Sequence, residues 1–134
     1  KESADRMKTI LVADDSGTAR MFTRRCLEVL GYGQSEVVEV TNGVDALAEL
    51  NRRPFDLLIT DITMPLMDGM ELVKSVAEEE QLRAMKVIVV SSAGNPARER
   101  ELAGYGAQIV AKPISPAKLA KALQPEKTGD GWGA

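Results

Sequence analysis

This chain has no histidine and one cysteine. Without histidine there is no imidazole base, no imidazole metal ligand and no Ser-His pair. A single thiol cannot close an internal disulfide. Cys26 falls on an apolar helical stripe with Ala19, Phe22 and Leu30, so it reads as a small buried hydrophobe and not a reactive thiol. No apolar run approaches the length that spans a bilayer. No secretory signal is visible, so the expected compartment is the cytoplasm, with no membrane insertion. Neither charge sign dominates: seventeen basic against twenty acidic side chains give a net charge of −3, which argues against direct nucleic-acid binding as the main activity. There is no repeat at solenoid period, and low complexity is confined to the tail.

What is present is one domain's worth of chain, 134 residues. Residues 1–6 are polar and unpatterned and read as a lead outside the fold, with the native start at Met7. The folded domain is expected over 7–124, and the Gly-rich stretch 125–134, which holds Trp132, as a frayed tail. Between them, five strands alternate with five helices. Strands are predicted at about Thr9 to Ala13, Glu36 to Val40, Asp56 to Thr60, Lys86 to Val90 and Gln108 to Ala111. The first helix is predicted from about Thr18 to Leu30, stopped by Gly31 and Gly33. Thr41-Asn42-Gly43 reads as a turn before a second helix carrying Ala46, Leu47 and Leu50, which ends before Pro54. The third helix is predicted over about Gly69 to Glu80, with Leu72, Val73 and Val76 inward, and a short fourth over Pro96 to Gly104. Ser115 caps a fifth, with Pro116 first, ending near Gln124. Strands one, three and four are continuously apolar, as buried parallel strands are, while the second alternates like an edge. The alternation predicts an α/β, doubly wound five-stranded parallel sheet with helices on both faces.

Polar residues follow the apolar runs. Asp14-Asp15 follow Ile10-Leu11-Val12-Ala13, Asp61 follows Leu57-Leu58-Ile59-Thr60, Ser91-Ser92 follow Val87-Ile88-Val89-Val90, and Lys112-Pro113 follow Ile109-Val110-Ala111. In a parallel sheet these positions share the carboxyl edge, where such folds carry their sites. Converging carboxylates raise one another's pKa, and a hard divalent cation such as Mg²⁺ relieves that cost. One Asp then remains to attack a phosphoryl group, giving an acyl phosphate. Lys112 and Ser91 can supply charge and a hydroxyl donor to the phosphoryl oxygens. The Lys112–Pro113 bond is an X-Pro peptide, whose cis or trans state the sequence leaves open. Taken singly, each of these residues is as well explained as a cap, a turn former or a solvated charge. The joint placement at one edge is what separates them from that reading.

These residues resemble the response-regulator receiver domain, the CheY-like family of two-component signalling, over about Lys8 to Leu123. The resemblance implies a flavodoxin-like (βα)5 fold with strand order 2-1-3-4-5. It implies Asp61 as phosphoacceptor, and Asp14, Asp15 and Asp61 with the backbone carbonyl of Thr63 around Mg²⁺, for which Mn²⁺ can substitute. Ser91 would be the switch hydroxyl, Lys112 the partner of a phosphoryl oxygen, and position 109 the switch position. The implied partners are a sensor histidine kinase or a histidine phosphotransfer protein as donor, and a downstream target protein. That target would be met by a face made of the fourth helix, fifth strand and fifth helix. The protein would be a monomer, with a phosphorylation-dependent dimer as an alternative, and would catalyse only its own phosphorylation and dephosphorylation.

The chain departs from the family at three places. Ile109 stands where relatives often have an aromatic, so coupling by a rotating ring is not expected. The fourth helix is about one residue short. Ile62 follows Asp61 where some relatives have tryptophan, so tryptophan quenching should not report phosphorylation. Thr63 and Ala93 offer no carboxylate or amide to orient a water, so slow autodephosphorylation is expected. Competing readings are a Mg²⁺-dependent phosphatase with an Asp nucleophile, which usually has a second carboxylate where Thr63 stands, and a flavin-binding domain, whose phosphate Asp14-Asp15 would repel. Within the family, a stand-alone chemotaxis or phosphorelay regulator is favoured over a domain of a larger protein. Arg20, Arg24 and Arg25 on the first helix offer either a docking surface for an acidic partner or a solvated face.

Overall fold

A computed structural model describes residues 7–92 and 94–124. The expected lead at 1–6, the tail at 125–134 with Trp132, and Ala93 lie outside the described residues. The strands are β1 (Thr9–Ala13), β2 (Glu36–Val40), β3 (Leu57–Asp61), β4 (Lys86–Ser91) and β5 (Gln108–Ala111). The helices are α1 (Gly17–Val29), α2 (Gly43–Arg52), α3 (Gly69–Glu78), α4 (Pro96–Gly104) and α5 (Pro116–Leu123), with a 3-10 turn at Glu80–Leu82. All neighbouring strands are parallel, in the order β2-β1-β3-β4-β5. This is the flavodoxin-like doubly wound sheet that the alternation and the resemblance imply.

The inner strands are apolar throughout because both of their faces are covered. Leu11, Ala13, Leu58, Val87 and Val89 point to one face, where Ala46 and Leu50 of α2, Leu72, Val73 and Val76 of α3, and Leu102 of α4 pack on them. Ile10, Val12, Leu57, Ile59, Ile88, Val90 and Val110 point to the other, under Cys26 and Leu27 of α1 and Leu119 and Ala122 of α5. The alternate residues of one strand thus feed two separate cores. Truncating a fully buried one such as Leu58 to Ala costs about 2–5 kcal/mol.

Every α-helix opens on a side-chain cap. Ser16, Asn42, Asp68, Asn95 and Ser115 accept from the backbone N–H of Ala19, Asp45, Glu71, Arg98 and Lys118, respectively. Such caps satisfy donors that the helix leaves free, each contributing about 1 kcal/mol. The segment 41–43 is therefore a helix start and not a free turn, because Asn42 caps α2 and Gly43 is its first residue. The third helix ends at Glu78, earlier than its periodicity suggests, and the 3-10 turn takes over to bury Leu82.

Two strands run one residue further than their apolar character indicates. β3 includes Asp61 and β4 includes Ser91, because ladder hydrogen bonds are made by the backbone and do not require an apolar side chain. Register pairs Asp61 with Val90 and Ser91 with Ala111. Phe22 departs from the apolar stripe expected of α1. It is 48% exposed, while Thr23, one position on, is buried in its place. Both residues line an open cavity of about 340 Å³ between α1 and the segment after β5.

Candidate functional site

The strand ends bring Asp14, Asp15 and Asp61 together, each offering a carboxylate oxygen within 4.8 Å of the others. Asp61 closes β3 and is buried. Its Oδ1 accepts from the Ile62 N–H at 2.9 Å and pairs with Lys112 Nζ at 3.1 Å. Lys112 follows β5, its side chain is 44% exposed, and its own N–H donates to the Ser91 carbonyl at 2.9 Å. The Lys112–Pro113 peptide is cis. The ammonium thus reaches the central carboxylate across the width of β4.

Asp14 is half-buried and follows β1. Its Oδ1 accepts from the Ser16 N–H at 3.0 Å, and its N–H donates to the Val40 carbonyl at 3.1 Å. Burial raises its pKa above the ordinary carboxylate value, and the charges of Asp61 and Asp15 push the same way. The Ser16 N–H and the Lys112 ammonium pull against them. Asp15 is exposed. The cluster therefore carries more negative charge than one lysine neutralises. Its donors are all hard oxygens, the set that Mg²⁺ or Mn²⁺ prefers, so the residues present fit such a cation.

Ser91 is buried at the end of β4, and its Oγ donates to the Ser92 carbonyl at 2.9 Å. Thr63 is exposed, two residues beyond Asp61. Ile109 is half-buried and packs against the core on the α2–α4 face. Arg20 and Arg24 are both paired with Glu39. Arg20 Nε pairs with Glu39 at 2.8 Å and its Nη1 donates to the Asp14 carbonyl at 2.8 Å, while Arg24 Nη1 lies 3.4 Å from Glu39. Of the three arginines only Arg25 stands exposed.

Sequence reasoning missed the residues that shape the site through the backbone. The buried Thr60 hydroxyl donates to the Asp61 carbonyl at 2.8 Å. Gly69 donates its N–H to the Ile62 carbonyl at 2.7 Å, and a β-carbon there would lie 2.2 Å from the Asp61 carbonyl oxygen. Only the Asp68-Gly69 pair, legible as a turn, hinted at that closure.

A doubly wound parallel sheet with a carboxylate cluster and a lysine at its carboxyl edge defines a class of α/β domain that carries its site at that edge. Within it, the family model "Response regulator receiver domain" matches residues 10–124, and the chain belongs to that family of two-component signalling. It is 30% identical over 115 residues to chemotaxis protein CheY-3 of Vibrio cholerae, covering 85% of this chain and 87% of the relative. A 71-residue stretch, 53% of the chain, is 46% identical to part of sensor protein EvgS of Escherichia coli, of whose length it spans 6%. The structure of the chemotaxis response regulator CheY4 of Vibrio cholerae superposes with a TM-score of 0.76 at 32% identity, covering 88% of this chain and 97% of that one. Among the described residues, no helix is long and apolar enough to cross a membrane.

Proposed function

We propose that Asp61 accepts a phosphoryl group from a phosphohistidine of a sensor kinase or phosphotransfer protein, and that the acyl phosphate controls a partner protein. The carrying observation is a buried carboxylate at a strand end, tied to Lys112 at 3.1 Å and sharing its surroundings with two further carboxylates. Oδ1 of Asp61 is held by Lys112 and the Ile62 N–H, which leaves Oδ2 to attack phosphorus. The new O–P bond forms as the P–N bond of the donor breaks, and the electron pair leaves with the imidazole nitrogen. Lys112 then follows the charge outward to a phosphoryl oxygen, and Ser91 Oγ exchanges the Ser92 carbonyl for another. Asp14, Asp15, Asp61 and the Thr63 carbonyl would hold Mg²⁺, which supplies neutralising charge to the phosphoryl oxygens.

The donor must approach over the open side of the site. Met21 and Phe22 on α1 are 51% and 48% exposed, and Phe22 shares its cavity with Asp61 and Lys112. An apolar contact on α1, with Arg25 beside it, suits that approach better than the three-arginine surface suggested by sequence. The output reading is a shift of the face made by α4, β5 and α5. The protein acts chemically only on itself, in the cytoplasm.

The match to CheY-3 along most of its length supports a stand-alone chemotaxis-type or phosphorelay regulator. The match to a short stretch of EvgS supports a second reading, a receiver within a larger signalling protein, with the same chemistry at Asp61. Intact mass after incubation with an acyl phosphate and Mg²⁺ tests the shared core of both. One added phosphoryl group is expected, lost in Asp61→Asn and without Mg²⁺. A folded wild type that binds Mg²⁺ but takes no label from any acyl phosphate or phosphohistidine donor defeats the proposal. The exposed threonine at position 63 offers no carboxylate or amide to orient a water, so the label should persist for minutes or longer. Loss within seconds would contradict that.

A further inference from the structure

The loop 62–69 carries Thr63, and three contacts fix its shape. At its base the Gly69 N–H closes onto the Ile62 carbonyl at 2.7 Å. At its tip the Met67 N–H reaches back two residues to the Pro65 carbonyl, also at 2.7 Å, around Leu66 at a φ of 71°. An i to i+2 closure around a positive φ belongs to the rarer, strained kind of γ-turn. Leu66 is 79% exposed, so no packing offsets the strain. The third contact comes from outside the loop: the Gly43 N–H donates to the Met67 carbonyl at 2.9 Å.

Gly43 is buried, and the contact tolerates no side chain. A β-carbon at position 43 would lie 2.5 Å from the Met67 carbonyl oxygen, 2.7 Å from Met67 Cγ and 2.9 Å from its Cβ. Something would have to move, and the helix side is the firmer of the two. Asn42, beside Gly43, is 5% exposed. It accepts from the Asp45 N–H at 2.7 Å and donates to Thr41 Oγ1 and the Asp45 carboxylate. Ala46, one turn on, is fully buried in the core. The loop is the softer partner at its tip, where Pro65 and Leu66 are exposed, while Ile62 and Met64 on either side of the exposed Thr63 are seated in the core.

We propose that Gly43 is a positioning residue for the cation site, holding the strained 62–69 loop so that the Thr63 carbonyl stays in register with Asp14, Asp15 and Asp61. This rests on the Mg²⁺-dependent phosphoacceptor reading above. Residues that orient metal ligands typically change affinity by about 10–100-fold when altered. Amide spectra of Gly43→Ala, titrated with Mg²⁺, should show a folded protein that binds at least about tenfold more weakly. Its labelling by an acyl phosphate should need correspondingly more Mg²⁺ yet reach the wild-type rate at saturation, a split that simple loss of stability would not give. Wild-type affinity in a folded Gly43→Ala overturns the proposal. Because coupling is reciprocal, saturating Mg²⁺ should also slow hydrogen exchange of the Gly43 amide in the wild type, relative to that of Leu11 in mid-strand. Unchanged exchange at Gly43 overturns the proposal even if the variant fails to fold. A wild type with no response to Mg²⁺ anywhere would bring down the phosphoacceptor reading together with this one. A normal response that spares Gly43 would remove this one alone.

Discussion

At the scale of single residues, the site sets local comfort aside. Asp14 shows this through its titration. Its pKa is raised in the folded protein by burial first, then by Asp61 and Asp15, so its proton binds the folded state more tightly than the unfolded one. The associated stability is present below the unfolded value, about pH 4, and is lost as pH rises through the folded value. In Mg²⁺-free protein at neutral pH, Asp14→Asn should therefore raise Tm. The amide oxygen can still accept from the Ser16 N–H. The gain should vanish toward about pH 4, and Mg²⁺ should stabilise the variant less than the wild type. A variant less stable than wild type at neutral pH without Mg²⁺ would contradict this. Leu66 is the backbone counterpart. A strained positive-φ turn costs a leucine about 1–3 kcal/mol and asparagine, which visits positive φ more readily, less, and an exposed side chain has little packing to lose. Leu66→Asn should therefore move the urea midpoint upward by about 0.5–1 kcal/mol of stability. An unchanged midpoint would show that the strain is relieved some other way. Cys26 is inert for a third reason: it is 1% exposed, and burial pushes its thiol pKa up, so alkylation should wait for unfolding.

At the scale of elements, helix starts carry more of the design than the apolar pattern reveals. Asn42 both caps α2 and stands beside the Gly43 contact. Asn42→Ala removes the acceptor for the Asp45 N–H and should cost about 1–2 kcal/mol in denaturant unfolding. A loss well below that would mean water replaces the cap. The sheet and its helices were legible in the sequence because both faces of β1, β3 and β4 are buried, and the continuous apolar runs are the direct record of that. The polar residues closing those runs were legible only together, since each alone reads as a cap, a turn former or a solvated charge and their shared edge is what sets them apart. Strand ends at Asp61 and Ser91 were missed by one residue, because polarity changes before the backbone ladder does. Gly43, Thr60 and Gly69 were not legible as site residues. Gly43 and Gly69 act through carbonyl contacts with partners that the fold brings near, where a glycine's value lies in an absent side chain, and Thr60 bonds the carbonyl of its own neighbour Asp61. Phe22 was misplaced because helical spacing says which face it occupies but not whether anything fills the space beneath.

At the scale of the whole molecule, the proposed function requires that charge added at Asp61 reach the α4, β5 and α5 face. Two cores share one sheet, so a strand displaced at its end disturbs helices on both sides. Asp61, the proposed phosphoacceptor, pairs in register with Val90, and Ser91 beyond it with Ala111 of β5. Ser91 is thus the side chain that can feel the phosphoryl group while its backbone belongs to the β4–β5 seam. Its hydroxyl now bonds the Ser92 carbonyl, and turning it toward a phosphoryl oxygen would free that carbonyl at the exit toward α4. Ile109 can contribute little beyond packing, since it has no polar atom to exchange between solvent and core and already rests half-buried against Val89 and its neighbours. The shift should therefore depend on the hydroxyl and be nearly indifferent to the aliphatic at position 109. Amide spectra before and after labelling with an acyl phosphate and Mg²⁺ can separate the two. Ser91→Ala should still take the label at Asp61, with the perturbations in α4 and β5 much reduced, while Ile109→Val should keep the wild-type pattern. Full perturbations in Ser91→Ala would mean that the new charge acts on the far face directly through the sheet, with Lys112 as the remaining carrier, because its N–H is bonded to the same Ser91 carbonyl.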